Sequence, residues 1–132
     1  MHITLEADYA VRIVSCLAKE KKRIDAKTIS EKTCVSLRFS LKILRKLVAT
    51  DLVKSFKGTQ GGYELAKAPS DISLYDVIET VEGTYNFSRC LDGEHECSCG
   101  KSGTCCYQKA FSNITDIVRT ELKKYTFDKL TD

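Results

Sequence analysis

Apolar residues return every three or four positions at the start of the chain. Ala7, Ala10, Val11, Val14, Leu17 and Ala18 share one face of a helix predicted over residues 5–18, with Thr4 placed to cap it and the run from Lys19 to Arg23 to end it. Asp25 is suited to cap a short second helix reaching Glu31. Thr33, Cys34 and Val35 then form a tight turn, and Ser36 can cap a third helix over residues 37–49. Two short helices joined by such a turn predict a helix-turn-helix. On the third helix, Leu37, Leu41, Leu44 and Val48 fall in one narrow arc at about 100° per residue, and that arc is expected to face the core. Arg38, Lys42, Arg45 and Lys46 fall on an adjacent arc that points away from it.

The period then changes. Val53 to Lys57 and Tyr63 to Leu65 alternate on either side of Gly58-Thr59-Gln60-Gly61-Gly62, which predicts a β-hairpin. No Gly-Lys-Ser/Thr follows and no helix opens after the glycines, so a nucleotide-binding loop is disfavoured. Directly after a helix-turn-helix, the hairpin reads as the wing of a winged helix, with Lys54 and Lys57 within reach of a DNA backbone. Ala68 to Asp71 is a turn, and Ser73 with Asp76 resembles a capping box for a helix bearing Leu74, Val77, Ile78 and Val81, ended by Gly83. Thr84 to Thr104 has little periodicity and is rich in Gly, Ser and Cys, a loop whose order is expected to depend on something it binds. A last helix is predicted from Cys106 to Tyr125. Tyr107, Phe111, Ile114, Val118, Leu122 and Tyr125 make one apolar stripe on it, near heptad spacing, which favours homodimerisation over packing within the chain.

The fold class expected is therefore mainly α with a small β-hairpin wing, a winged helix-turn-helix followed by a long C-terminal dimerisation helix. Residues 1–68 would form the DNA-binding region, and residues 69–132 the cysteine-rich loop and dimer helix, within one compact domain. A length of 132 residues with 42% hydrophobic content suits a single core. No stretch approaches the roughly 20 apolar residues of a membrane span, and Glu6 and Asp8 interrupt any secretory signal, so a cytoplasmic protein with no membrane partner is expected.

Charge sharpens this picture. Residues 1–68 hold 14 Lys/Arg against 7 Asp/Glu, a balance of +7, whereas residues 69–132 hold 7 against 11, a balance of −4. The front half suits a polyanion, although a solvated lysine-rich surface is the commoner origin of such a bias. Placed on the second helix of a helix-turn-helix, the cations meet what phosphates and base edges of a major groove require. The candidate contacts with a double-stranded DNA operator are Ser36, Arg38, Ser40, Lys42, Arg45, Lys46, Lys57, Thr59 and Gln60.

Five of the seven cysteines, Cys90, Cys97, Cys99, Cys105 and Cys106, fall in one segment. In a reducing compartment such thiols favour a metal or redox site over a disulfide framework. Cys16 and Cys34 lie outside this group and read as small buried hydrophobes. The spacing lacks the paired Cys-x2-Cys knuckles of most structural zinc sites, which lowers the zinc reading without removing it. An enzyme is disfavoured, because only His2 and His95 supply imidazoles and no nucleophile-base pairing or carboxylate dyad is evident. A small electron-transfer protein would leave the basic helix and wing without a role. A regulator of the same fold that senses by thiol oxidation or zinc, through Cys97, Cys105 and Cys106, stays open.

Several segments together resemble a known family. They are Asp8-Tyr9-Ala10-Val11-Arg12-Ile13, Gly58 through Ala66, Ile72 through Ile78 with Glu82-Gly83, and the late cysteines. They are similar to the winged-helix iron-sulfur regulators that include IscR and the nitric-oxide sensor NsrR, over nearly the whole chain. The resemblance implies a dimeric DNA-binding transcription factor, usually a repressor, whose occupancy is set by an iron-sulfur cluster held by three cysteines. The family's last two cysteines are separated by five residues, which matches Cys99 and Cys105, and its first then matches Cys90. Cys97 competes for the second position and Cys106 for the third. Where IscR-like members place a histidine ligand, this chain has Gln108. NsrR-like members use an aspartate near the N-terminus of the partner subunit, and Asp8 occupies that position. The resemblance thus implies an NsrR-like cluster, 4Fe-4S in preference to 2Fe-2S. His95 is a further alternate ligand, and Asp8 has the alternative of pairing within its own helix. The dimer interface is expected at Phe111, Ile114, Val118, Leu122 and Tyr125.

Overall fold

The computed structural model describes residues 2–130. Its elements run α1 (Leu5–Glu20), α2 (Ala26–Thr33), α3 (Leu37–Ala49), β1 (Val53–Phe56), β2 (Gly62–Leu65), α4 (Leu74–Glu82) and α5 (Cys106–Lys124), with short 3-10 turns at Pro69–Asp71 and Arg89–Leu91. The helix starts are set locally. Thr4 accepts the Ala7 N–H at 3.1 Å, Asp25 the Thr28 N–H at 2.7 Å and Ser36 the Phe39 N–H at 3.2 Å. Ser73 and Asp76 form a reciprocal capping box on α4. Each such cap is worth about 1 kcal/mol.

The helix stops are local too. Lys21 ends α1 in the left-handed region at φ 52°, its N–H returning to the Leu17 carbonyl, and Cys34 ends α2 at φ 56°. That position turns Cys34 to solvent, so it is exposed rather than a buried hydrophobe, and Cys16 is only half-buried.

One core joins the front and back halves of the chain. Ala10, Ile13, Val14 and Leu17 of α1 pack with Ile43, Leu44 and Leu47 of α3, Val53 of the hairpin, Ile72, Val77 of α4 and Phe127. Here the expected phase of α3 is corrected. Leu44 belongs to two overlapping apolar arcs, and α1, α2 and α4 close over the one that carries Ser40, Ile43 and Leu47. Leu37 and Leu41 are left 45% and 38% exposed. Phe127, beyond α5, is buried and donates its N–H to the Ile72 carbonyl at 3.1 Å, which ties the end of α5 to the start of α4.

The wing pairs Val53 with Leu65 through Phe56 with Gly62 in antiparallel register. Ile24 adds one bridge at its edge, exchanging backbone hydrogen bonds of 3.0 and 2.7 Å with Tyr63. Gly62, at φ 142°, makes this approach possible, since a Cβ there would lie 2.6 Å from the Ile24 carbonyl oxygen. Among the described residues no helix is long and apolar enough to cross a membrane.

Candidate nucleic-acid interface and cysteine loop

α3 follows α2 across the turn at Cys34 and presents Arg38, Lys42 and Arg45 on an exposed face. Arg38 and Arg45 have no carboxylate partner among the described residues. Lys42 lies 3.9 Å from Glu6 of α1, and Lys46 is 2.7 Å from the same carboxylate. Lys46 is thereby partly neutralised and held toward α1. Ser36 is exposed and spends its oxygen on the helix cap. Ser40, expected among the DNA contacts, is corrected: it is fully buried, with its hydroxyl 3.5 Å from the Val35 carbonyl. It lies on the side of α3 that faces the core.

Lys57, Thr59 and Gln60 are exposed in the turn of the wing, and Lys54 is exposed on β1. A residue that pattern reading missed holds this turn in place. Arg23 stacks its guanidinium 3.4 Å from the centroid of the Phe56 ring and donates to the Gln60 carbonyl at 3.2 Å. The only sequence signal was a cation at the end of the Lys19–Arg23 run, and that run read as a helix stop.

The segment from Thr84 to Thr104 is tied to α5 near its two ends. Arg119 donates to the Tyr85 carbonyl at 2.8 Å and to the Asn86 side-chain oxygen at 2.9 Å, and Thr115 accepts the Phe87 N–H at 3.0 Å. The Phe87 and Phe111 rings meet at a tilt of 37° with centroids 5.4 Å apart. Gln108 closes the cysteine stretch, donating to the Cys90 carbonyl at 3.0 Å and accepting the Gly103 N–H at 2.7 Å.

All seven cysteines are free thiols. Cys90 lies 3.3 Å from the Ser88 hydroxyl. The backbone N–H groups of Lys101, Cys99 and Gly100 hold the Cys97 thiol below its ordinary pKa, with Lys101 contributing most. Cys99 and Cys106 are exposed, and Cys90, Cys97 and Cys105 half-exposed. Thiolates are soft ligands, and as a donor set they suit an iron-sulfur cluster or zinc alike. Among the described residues, however, no three His, Cys, Asp or Glu side chains are gathered to hold an ion. His95 is engaged by Asp92, with Nδ1 2.8 Å from a carboxylate oxygen. Asp8 is paired with Arg12 at 2.8 Å one turn along α1, so pairing within its own helix is the arrangement present in this chain.

The apolar stripe of α5 divides between two directions. Phe111, Val118 and Leu122 are half-buried against the protein's own body, Val118 and Leu122 lining a cleft with Ile3, Ile78 and Phe87. Tyr107, Ile114 and Tyr125 are exposed, together with Ile117 at 67%, which the heptad reading passed over.

Residues 3–132 match the family described as Rrf2, iron-dependent transcriptional regulator. The chain is 32% identical over 136 residues to the protein aau3 of Rhizobium meliloti, covering 98% of this chain and 84% of that one. It is 26% identical over 132 residues to the HTH-type transcriptional regulator NsrR of Bacillus licheniformis, covering 98% and 90%. Among solved structures, CymR, the global cysteine regulator of B. subtilis, is similar with a TM-score of 0.77 at 26% identity, over 100% of this chain and 99% of that one.

Proposed function

The chain belongs to the Rrf2 family of transcriptional regulators, and from that premise we propose that it is a homodimeric repressor whose hold on a DNA operator is set by an iron-sulfur cluster. The observation that carries the DNA part is the exposed row Arg38, Lys42 and Arg45 on the second helix of the helix-turn-helix, two of the three without a carboxylate partner among the described residues. In this reading the row enters the major groove, where guanidinium groups match guanine edges bidentately. Lys57, Thr59 and Gln60 of the wing, with Ser36 and Lys46, contact phosphates, which position the protein without reading sequence.

The cluster part rests on the donor set and on the family resemblance. Cys90, Cys99 and Cys105 are the proposed thiolate ligands and Asp8 of the partner subunit the fourth, with Cys97, Cys106 and His95 as alternates and 4Fe-4S preferred to 2Fe-2S. When bound, such a cluster supplies a centre that oxygen, nitric oxide or iron scarcity can alter. The chain's own residues do the rest. Gln108 holds the two ends of the cysteine stretch at a fixed separation, and Arg119 and Thr115 anchor the preceding segment on α5. Asp8 gives one carboxylate oxygen to Arg12, so a ligand bond from Asp8 competes with that pair, and Arg12 also donates to the Thr33 carbonyl at the end of α2. A change at Asp8 is therefore felt next to the reading helix. A second copy covers the exposed Tyr107, Ile114 and Ile117 face of α5, since a narrow apolar row on a long helix suits a helix-helix seam.

A second reading has its own support. The lowered pKa of Cys97 suits a reactive thiol, so a same-fold regulator that responds by thiol oxidation or by zinc competes with the cluster. The deciding experiment selects duplexes from a random pool with the full-length protein, then measures affinity before and after chelator treatment under nitrogen. A specific site bound with iron-dependent affinity supports the proposal. Failure to select any sequence overturns its DNA part.

A further inference from the structure

α3 leaves two leucines partly in water, outside the set of buried residues that forms the core. Ile43, Leu44 and Leu47 already supply its contribution to the core, yet Leu37 is 45% and Leu41 38% exposed, one helical turn apart. The nearby Phe39 has a partner, standing edge-on to Tyr9 with centroids 6.0 Å apart. Leu37 and Leu41 line one open surface with Phe39, Arg38, Lys42 and Arg45. An apolar pair set among cations fits an occupant that is anionic overall and carries small apolar groups. The major groove offers both, phosphates along its walls and thymine C5 methyl groups on its floor. A second copy of the chain is the poorer occupant, because self-association through this face would bring like-charged guanidinium groups together.

We propose that Leu37 and Leu41 read thymine methyl groups, so that each half-site carries thymine beside the guanine contacted by Arg38 or Arg45. The inference rests on the DNA-binding reading above and adds to it which bases are specified and by what chemistry. Leu41 lies one turn from both Leu37 and Arg45, so the apolar and bidentate contacts fall on neighbouring base pairs. Arginine supplies the hydrogen-bonded discrimination, and the leucines reject a pair that lacks the methyl.

The test uses deoxyuridine, which keeps every hydrogen-bonding group of thymine and lacks only the methyl. In the duplex selected by the full-length protein, each thymine is replaced in turn. At one or two positions per half-site the affinity should fall about fourfold, the worth of one buried methyl-sized group. Leu41→Ala, at a position outside the buried core and checked for an unchanged circular-dichroism spectrum, should bind the thymine duplex more weakly and no longer distinguish it from the deoxyuridine duplex at its position. Equal affinity of the parent protein for all thymine and deoxyuridine duplexes overturns the inference, and if Arg38→Ala still loses sequence preference the DNA reading itself stands. Should Leu37→Ser/Leu41→Ser change the sedimentation of the DNA-free protein and leave methyl discrimination intact, the face is covered by another copy and the inference is wrong. If no duplex is preferred over any other, the DNA reading falls, and the inference falls with it.

Discussion

Gln108 donates a 3.0 Å hydrogen bond from its side-chain nitrogen to the carbonyl oxygen of Cys90, eighteen residues earlier, and its oxygen accepts the Gly103 N–H at 2.7 Å. Gln108 therefore closes the cysteine stretch through two side-chain hydrogen bonds of its own. Gln108→Ala should speed amide exchange across residues 90–104 in metal-free protein while lowering global stability by about 1 kcal/mol, the net worth of a typical hydrogen bond. Hydrogen-exchange mass spectrometry checks this, and unchanged protection of that segment would show that the closure contributes nothing.

Binding to the operator should be strongly electrostatic. Lys57→Ala should weaken binding to all duplexes alike and reduce the slope of log affinity against log salt by about one. Arg38→Ala should cost about 1–3 kcal/mol and relax sequence preference. Titrations at several salt concentrations separate the two effects. Parent-like binding in both variants would remove α3 and the wing from the interface.

The exposed row on α5 makes a separate prediction about assembly. Ile114→Glu with Ile117→Glu should give a folded monomer, since both side chains are exposed in the single chain. Val118→Glu should instead lower the melting temperature, because Val118 is half-buried in the cleft with Ile3 and Leu122. Sedimentation velocity and thermal melts distinguish these outcomes. An intact dimer in the Ile114/Ile117 variant would place the interface elsewhere.

Ligand variants should differ in kind. Serine at Cys90, Cys99 or Cys105 should lose most bound iron, whereas serine at Cys97 or Cys106 should retain it. Asp8→Ala should still assemble a cluster, with an altered visible spectrum and faster reaction with nitric oxide or oxygen, because a carboxylate is a hard and weakly held ligand beside thiolates. A parent-like spectrum in Asp8→Ala, with iron lost from Cys97, Cys106 or His95 variants, would move the fourth ligand into the loop.

What could be read in advance depended on whether the cause was local. Thr4, Asp25, Ser36 and Ser73 each cap a helix within three residues of chain, so propensity and position suffice, and all four caps are present. The glycine-rich turn and its alternating flanks likewise marked the wing. The phase of α3 was misread because Leu44 fits either apolar arc and the choice is made by α1, α2 and α4, which pack around it. The same non-local cause hid the burial of Ser40, the division of the α5 stripe and the pinning of Phe127 against Ile72. Arg23 was passed over because its stacking on Phe56 joins segments far apart in sequence. Among the site residues, the exposed cations of α3 and the wing followed from periodicity. The pairing of Lys46 with Glu6 and of Asp8 with Arg12 depended on where side chains meet in space.

Iron and acid-labile sulfide, measured together on protein purified without oxygen, bear most directly on whether this chain is a cluster-bearing regulator. A brown sample with iron and sulfide in near-equal amounts and a broad visible band that nitric oxide bleaches is the expected result. Colourless protein that is free of iron and loaded with zinc would contradict it, leaving a winged-helix regulator that works through its thiols.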